Sequence, residues 1–372
     1  MDFTFHSKPV RVLFGRGESG SLPKHLASFN RILVIAGPRF QEQVGHLQSQ
    51  LGSERIVPFS KIVPHVPQEL VDVAAKEVRQ VRPDAILAMG GGSAIGLAKA
   101  LALGSAPGLK ECYFEEGLDA PAIIAVPTTF SGSEQTDIWG ITTADGKTTG
   151  KSPLVLPQLV IYDPDLLLSL PAERAVTSTM NAMAHLVEAV YAPDGNPVTR
   201  YQALQGIPAI VAGLEQLVRS GNGGDEIAMT PKIAENLLFG AFLGGKCLRE
   251  VSMSLHHKTA HVLGGSFGCD HAVAHTVLLP HVLAYQWPHL GADTQRDLQN
   301  VLGAHPARSL QALAARAGAP MDLKSTGMKQ ADLPLVAERI LEKPYPNSAP
   351  LDRIRLEQML DDAWNGTHLS PS

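Results

Sequence analysis

The chain has little of several things that would settle its class at once. Only three of its 372 residues are cysteine: Cys112, Cys247 and Cys269. Three scattered thiols make no disulfide framework and leave one over, so the expected setting is a reducing cytoplasm. Cys269, inside a histidine-rich stretch, reads as a small, partly buried residue. No basic block offsets the net charge of −5, which argues against nucleic acid and anionic membrane as partners. No apolar run reaches the roughly 18 uncharged residues that a membrane span needs. The opening MDFTFHSKPVRVLF carries charge and polarity where a signal peptide would have its apolar run. Internal repeats and low-complexity tracts are missing as well. What remains is an ordinary globular balance, 44% apolar and 18% charged. The length suffices for more than one domain and a large core, and a soluble cytoplasmic protein is expected.

Two halves of the sequence follow different patterns. From Arg31 to about Asp163, short apolar runs alternate with helical stripes. RILVIAGP, DAILAMGGGS, PAIIAVPTT and QLVIYDP read as buried strands, and IVPFSKIVPHVP as an extended segment punctuated by prolines. QELVDVAAKEVRQV sets Leu70, Val71, Ala74, Ala75, Val78 and Val81 on one helical stripe. Strand, helix and strand at this spacing imply a mainly parallel sheet covered on both faces. Beyond YDPDLLLSLPAERA nearly everything to residue 365 reads as helix, with SGNGGDE at 220 to 226 as a loop between helices. The expectation is an α/β dinucleotide-binding domain over residues 1–162 and an all-helical catalytic domain over 163–372, with the active site in the cleft between them.

AMGGGSAIGLAKA, residues 88 to 100, ends a strand in three glycines, and Ser93 offers an N-cap to the helix behind it. Gly90, Gly91, Gly92 and Ser93 could let a pyrophosphate approach the backbone and the first N–H groups of that helix. A tight turn without a ligand would look the same. The spacing is not G-x-G-x-x-G, so that fingerprint does not apply here. VPTTFSGSE supplies Thr128, Thr129 and Ser133 after the next strand, either as ligand groups or as a polar turn.

LHHKTAHVLGGSFGCDH, residues 255 to 271, sets His257 and His261 four apart on one helical face, with His271 after a glycine-bearing break. Upstream, Asn181 and His185 form a second pair at the same spacing. Any one of these histidines could serve the core or the surface. Together they present three imidazoles and a carboxamide, most of a divalent-metal site but without its anion. His256 points to another face of a regular helix and stays outside the expected catalytic set.

These motifs resemble the group III, iron-activated alcohol dehydrogenases along nearly the whole chain. The resemblance is carried by FGRG at 14 to 17, GGGS at 90 to 93, PTT and GSE within 127 to 134, DP and LP within 163 to 171, and the histidine block that ends in LLPHV. It implies the dehydroquinate synthase-like fold of that family, a nicotinamide cofactor, and a homodimer. In the family an Asp and three His hold the metal, and the matching positions here are Asn181, His185, His257 and His271. His261 matches a histidine beside the nicotinamide, and Lys147 a lysine that contacts the cofactor. The acid that holds the adenosine ribose in many relatives corresponds to Gly37, so both NADH and NADPH are admitted.

Asn181, with NAMAHLVEA, LHHKTAHVLGGSF, GGGSAIGLAKA and VLPQLVIYDP, is similar to the maleylacetate reductase branch of that family. That branch reduces the carbon–carbon double bond of a small dicarboxylate, maleylacetate, to give 3-oxoadipate during bacterial degradation of aromatic compounds, and is regarded as metal-independent. The resemblance therefore implies Asn181, His185, His257, His261 and His271 as catalytic residues, with no metal. Lys258 and Arg249 are candidates for the substrate carboxylates, or else solvated helix charges. Three competitors stand beside this reading. They are a metal-dependent dehydrogenase acting on a small alcohol or aldehyde, a nucleotide-binding protein without turnover, and a lyase related to dehydroquinate synthase.

Overall fold

The computed structural model describes residues 3, 5, 7–104, 120–143, 146–220 and 228–370. Cys112 and the SGNGGDE loop beyond Ser220 lie outside the described residues. Two compact units emerge, one of Lys8–Thr129 with Ser133–Leu167, the other taking in Phe130–Gly132 and Leu168–Ser372.

The first unit holds β1 (Arg11–Phe14), α1 (Leu22–Leu26), β2 (Ile32–Ala36), α2 (Gln41–Leu51), β3 (Ile56–Phe59), α3 (Gln68–Val81), β4 (Ala85–Gly90) and α4 (Gly92–Leu103). β5 (Ala122–Pro127), β6 (Ile138–Thr143), β7 (Gly146–Lys151) and β8 (Leu159–Tyr162) complete it. Six strands form one parallel sheet in the order β1-β8-β5-β4-β2-β3. β2, β4, β5 and β8 are buried at every position. That is why they read as unbroken apolar runs, as strands covered on both faces do. The strand pairing divides between β2 and β4, where the sheet grows outward in two directions from β2. Such a switch point opens a crevice beyond the carboxyl ends of the strands.

Four features of this unit were not legible in the pattern. β1 has only four residues, and the antiparallel hairpin β6–β7 is polar and half-exposed, so neither makes an apolar run. Ser93 is not the N-cap of α4. The helix starts at Gly92, two residues before a Ser93 cap would start it, with extended Gly91 as its cap and no side-chain capping bond. A glycine can turn the chain here without a cap, and only a glycine fits, because a Cβ on Gly91 would lie 2.8 Å from the Thr129 methyl. The DP and FGRG motifs turn out to be one joint. The Asp163 carboxylate accepts the N–H groups of Gly17 and Ser19, each at 3.0 Å, and the Ser19 hydroxyl at 2.6 Å.

The second unit is helical: α5 (Ala172–Tyr191), α6 (Pro197–Ser220), α7 (Pro231–Glu250), α8 (Leu255–Phe267), α9 (His271–Gln286), α10 (Ala292–Leu302), α11 (Pro306–Arg316), α12 (Leu333–Leu341) and α13 (Arg353–Asn365). α5 is buried on nearly all sides from Ala175 onward, as a central core helix must be. Close approach to α7 depends on Gly244, where a Cβ would stand 2.9 Å from the Ala182 carbonyl oxygen. A backbone oxygen in a buried helix cannot swing aside as a side-chain tip can.

Gly244→Ala should therefore push α5 and α7 apart and lower stability by about 1–3 kcal/mol. A urea unfolding curve reads this directly. An unmoved midpoint would show that the two helices have slack.

Candidate active site

The first unit builds a cradle at the carboxyl ends of β4 and β5. Gly90 pairs with Pro127 in register, and Thr128 donates its N–H to the Gly90 carbonyl at 2.9 Å. Glycines line the approach: a Cβ on Gly90 would fall 2.7 Å from that of Ala94. The first N–H groups of α4 open here, and the buried Thr128 hydroxyl has no partner among the described residues. Gly90, Gly91, Gly92, Ser93, Thr128, Thr129 and Ser133 thus belong to neighbouring turns that fit an anionic, phosphate-bearing group. Lys147 stands on β7, opposite Thr142.

Sequence reading missed the group that holds the second turn in place. Lys99 is 2% exposed, and its Nζ donates to the carbonyls of Ser133 (2.7 Å), Thr136 (2.7 Å) and Ile138 (3.0 Å) and to the Thr136 hydroxyl (3.0 Å). Burial pulls the ammonium down to about 7, while Glu134 and Asp137 oppose the shift. A lysine on a helical stripe looks like a surface charge in one dimension. Only the folded loop reveals four acceptors.

In the helical unit, α5 presents Asn181, His185 and Glu188 at i, i+4 and i+7, one stripe of its surface. α8 brings His256, His257 and His261, and α9 brings His271 and His275. Six imidazoles pack together. His185 stacks on His257 with centroids 5.0 Å apart, and His261 on His271 at 5.6 Å. His275 meets His257 edge to face at 4.9 Å and His271 at 4.4 Å. The structure therefore gathers His185, His257, His261 and His271 in one cluster, with Asn181 one helical turn before His185.

Three members were not expected. His256 does point away from His257, but that direction leads into the core, where its Nε2 is 2.8 Å from Nδ1 of His275. His275 links onward to His271, Nε2 to Nε2, at 3.1 Å. The pair His271 and His275 repeats the four-residue spacing, a signal present in HAVAH. Glu188 sits three residues after His185 and is fully buried. Its Oε1 accepts the N–H groups of Ser254 (3.2 Å) and His256 (3.0 Å) at the start of α8, and its Oε2 is bonded to Nδ1 of His257.

Burial decides the protonation of this group. It pushes the Glu188 carboxyl up to about 8 against the pull of its N–H donors, and brings the His257 imidazole down to about 3. Both directions disfavour an ion pair, because charge is expensive without water. Near neutral pH the carboxylic acid then donates to Nδ1, and the proton of His257 itself resides on Nε2. That nitrogen is buried and has no partner among the described residues, as are Nδ1 of His185 and Oδ1 of Asn181. Buried polar atoms normally have partners. Three such atoms together mark a place prepared for a polar ligand.

The carboxylate candidates differ. Arg249 has a side chain only 5% exposed, paired with Glu250 at 3.3 Å, and its Nη1 has no partner among the described residues. It is not the solvated charge that its place near a helix end suggested. Lys258 is half-buried on α8.

Comparison with known proteins places this architecture. Residues 9–164 match the model for iron-containing alcohol dehydrogenase, and residues 175–364 match the C-terminal model of the same family. The chain belongs to the iron-containing alcohol dehydrogenase family. It is 38% identical over 367 residues to the maleylacetate reductase of Sphingobium indicum, covering 98% of each chain. To that of Burkholderia cepacia it is 39% identical over 371 residues, covering 99% of each. The crystal structure of maleylacetate reductase from Agrobacterium tumefaciens superposes with a TM-score of 0.87 at 34% identity, covering 99% of this chain and 100% of that one.

The family name raises a metal ion, and the donors here do not fit one. Asn181 offers a neutral oxygen where a divalent ion gains most from an anion. Nε2 of His271 faces His275. Among the described residues no three His, Cys, Asp or Glu side chains are placed to share an ion.

Two outcomes test the electrostatics. Glu188→Gln keeps an oxygen for the two backbone N–H groups and an N–H for Nδ1 of His257. It should retain the wild-type kcat within about threefold, while Glu188→Leu strands both donors at about 1–3 kcal/mol each. A large loss in the Gln variant would show that the carboxylate charge is required. The second outcome is a pH dependence of stability. Burial lowers His185, His256, His257, His275 and, on α9, His281, the last to about 4. Below about pH 6.5 the unfolded chain takes up protons that the folded chain refuses, so stability falls on acidification. Each imidazole contributes up to about 1.4 kcal/mol per pH unit. Glu188, raised from 4.5, acts in the opposite sense between pH 4.5 and about 8, one group against five. Urea midpoints at pH 7.5, 6.5 and 5.5 should drop in that order, and a flat series would refute the neutral cluster.

Proposed function

We propose that this oxidoreductase reduces the carbon–carbon double bond of maleylacetate, or a close enone dicarboxylate, to the 3-oxoadipate-type product in the degradation of aromatic compounds, and does so without a metal. The observation that carries the reading is the buried donor set left unspent beside Asn181: Nε2–H of His257 with the imidazole of His185. Full-length similarity to maleylacetate reductases supports the substrate class.

The cradle of Gly90, Gly91, Gly92, Ser93, Thr128, Thr129 and Ser133 would hold the pyrophosphate of a nicotinamide cofactor. When bound, that cofactor supplies a hydride to the alkene carbon β to the ketone. A Cβ on Gly37, at the end of β2, would meet nothing within 4 Å, and Arg39 stands exposed two residues on. With room, no acid and a nearby guanidinium, NADPH is accepted as well as NADH.

Addition of hydride leaves an enolate, and the chain's task is to bind its oxygen and protonate the neighbouring carbon. His257 meets the first need with an N–H held in place by Glu188, aimed from a site of low dielectric where it counts most. His185, His261 and His271 are the remaining candidates for donating to the substrate and delivering the proton. Asn181 leaves the site uncharged, which suits an incoming dianion better than an Asp would. Arg249, buried with an unspent Nη1, is the stronger candidate for a substrate carboxylate, and Lys258 the weaker. A simple ketone lacks the conjugated alkene and gains more from a Lewis acid.

The test is oxidation of NADH and of NADPH with maleylacetate, using protein purified without added metal, with and without excess chelator. Turnover should persist in chelator, and His257→Ala should lower kcat by about 10²–10³. Stoichiometric metal whose removal abolishes turnover would overturn the metal-free reading. Oxidation of small alcohols without enone reduction would favour the alcohol dehydrogenase competitor.

A further inference from the structure

We propose that His256 and His275 are positioning residues which fix the proton of His271 on Nδ1, presenting that nitrogen as a hydrogen-bond donor. The proposal rests on the reading above, in which His271 belongs to the substrate site. Its physical basis is separate, and comes from counting the protons in a row of three rings.

His256 Nε2 lies 2.8 Å from His275 Nδ1, and His275 Nε2 lies 3.1 Å from His271 Nε2. A neutral imidazole has one N–H and one lone pair. His275, bonded through both nitrogens, must donate at one end and accept at the other. The row therefore has two arrangements, with every proton pointing toward His271 or every proton pointing toward His256.

The far end of the row chooses between them. His256 Nδ1 is buried and has no partner among the described residues. Were the protons to point toward His256, this nitrogen would carry an N–H with nothing to receive it. Pointing the other way, it carries only a lone pair, and stranded donors are the rarer feature of protein interiors. The helix end adds to this preference. His256 lies in the first turn of α8, where the positive end of the helix dipole favours a lone pair over an N–H near the backbone.

At the near end the same effect acts on His271, which begins α9, and two facts weaken it there. The Asp270 carboxylate caps that helix, accepting the N–H groups of Ala272 (2.9 Å) and Val273 (3.1 Å), and the His271 ring is half-exposed. His256 is fully buried, so its preference prevails. The sense is then fixed: His256 Nε2–H donates to His275 Nδ1, and His275 Nε2–H donates to His271 Nε2. The His271 proton is left on Nδ1. That nitrogen faces Gly264, where a Cβ would come within 3.3 Å of it, so the glycine keeps a side chain from crowding the donor.

The experiment is a long-range ¹H–¹⁵N correlation spectrum of the full-length enzyme labelled with ¹⁵N-histidine, which reports the protonated nitrogen of each ring. Expected is a neutral His271 with Nδ1 protonated. His256→Phe removes the first donor of the row and should give a mixture of His271 tautomers. In the same variant kcat should fall about fivefold to tenfold with KM within twofold, the loss of one hydrogen bond's bias. His275→Ala should do the same. His275→Gln, whose amide can still donate to Nε2 of His271, should recover kcat to within about threefold of wild type, a rescue that a loss of packing would not allow. A wild-type His271 protonated on Nε2 overturns the proposal, whether or not the variants fold. So does an unchanged His271 tautomer in His256→Phe. The Nδ1–H tautomer in an enzyme that does not reduce maleylacetate would sustain this assignment and defeat the substrate reading instead.

Discussion

The helical site depends on one buried carboxyl. Glu188 has no exposure to solvent, yet it receives two backbone N–H groups from the start of α8 and is bonded to His257. The contact spans 66 to 69 residues of sequence and ties the site face of α5 to the first turn of α8. An ionised carboxylate in this position would need a compensating charge, and the nearest candidates are imidazoles that burial keeps neutral. Neutrality is the solution that satisfies every partner at once. The acid keeps its proton and donates a hydrogen bond to one histidine, and its carbonyl oxygen accepts the N–H groups at the start of α8.

From that constraint the remaining ring chemistry follows. Burial keeps His185, His256, His257 and His275 neutral, so these rings pack within the cluster without mutual repulsion. Each must then find one acceptor and one donor, or leave an atom unspent. Among the described residues four such atoms, on His185, His257, His256 and Asn181, belong to this cluster, while Gln202, Arg249 and Tyr345 leave others elsewhere in the unit. A core that leaves polar atoms unsatisfied loses stability. That such atoms collect in one place is the usual mark of a site prepared for a ligand, and it is a stronger indication than any single histidine.

The sequence made the sheet, the four central histidines and the glycine cradle legible, for a common reason. Buried parallel strands are apolar at every position, paired side chains on a helix recur at four residues, and a triple glycine at a strand end has few other uses. The pattern failed where a residue's role is assigned by a distant partner. Helix geometry gives the direction of His256 but not what lies there, and what lies there is His275 of α9. Long cationic side chains usually lie at the surface, and nothing in one dimension marks Lys99 or Arg249 as buried. Their acceptors and partners come from other turns of the chain. Ser93 failed as a cap because a serine suits that role by composition, whereas the extended conformation of Gly91 starts the helix two residues earlier.

The substitution of Asn for Asp at position 181 is best understood together with Glu188 rather than alone. A carboxylate at 181 would put an anion against rings that burial holds neutral, and would favour protonating them or binding a cation among them. The carboxamide leaves the balance undisturbed. It also lets the protons on His257 and His271 be set from behind, by Glu188 in one case and by the row through His275 in the other, instead of by a metal in front. In the proposed reading both devices produce a neutral N–H donor, on buried His257 and on half-exposed His271. For a reaction whose charge appears on an enolate oxygen, that is the group required. In the proposed reading, the family scaffold has exchanged a Lewis acid for hydrogen-bond donors by altering one ligand and keeping the histidines.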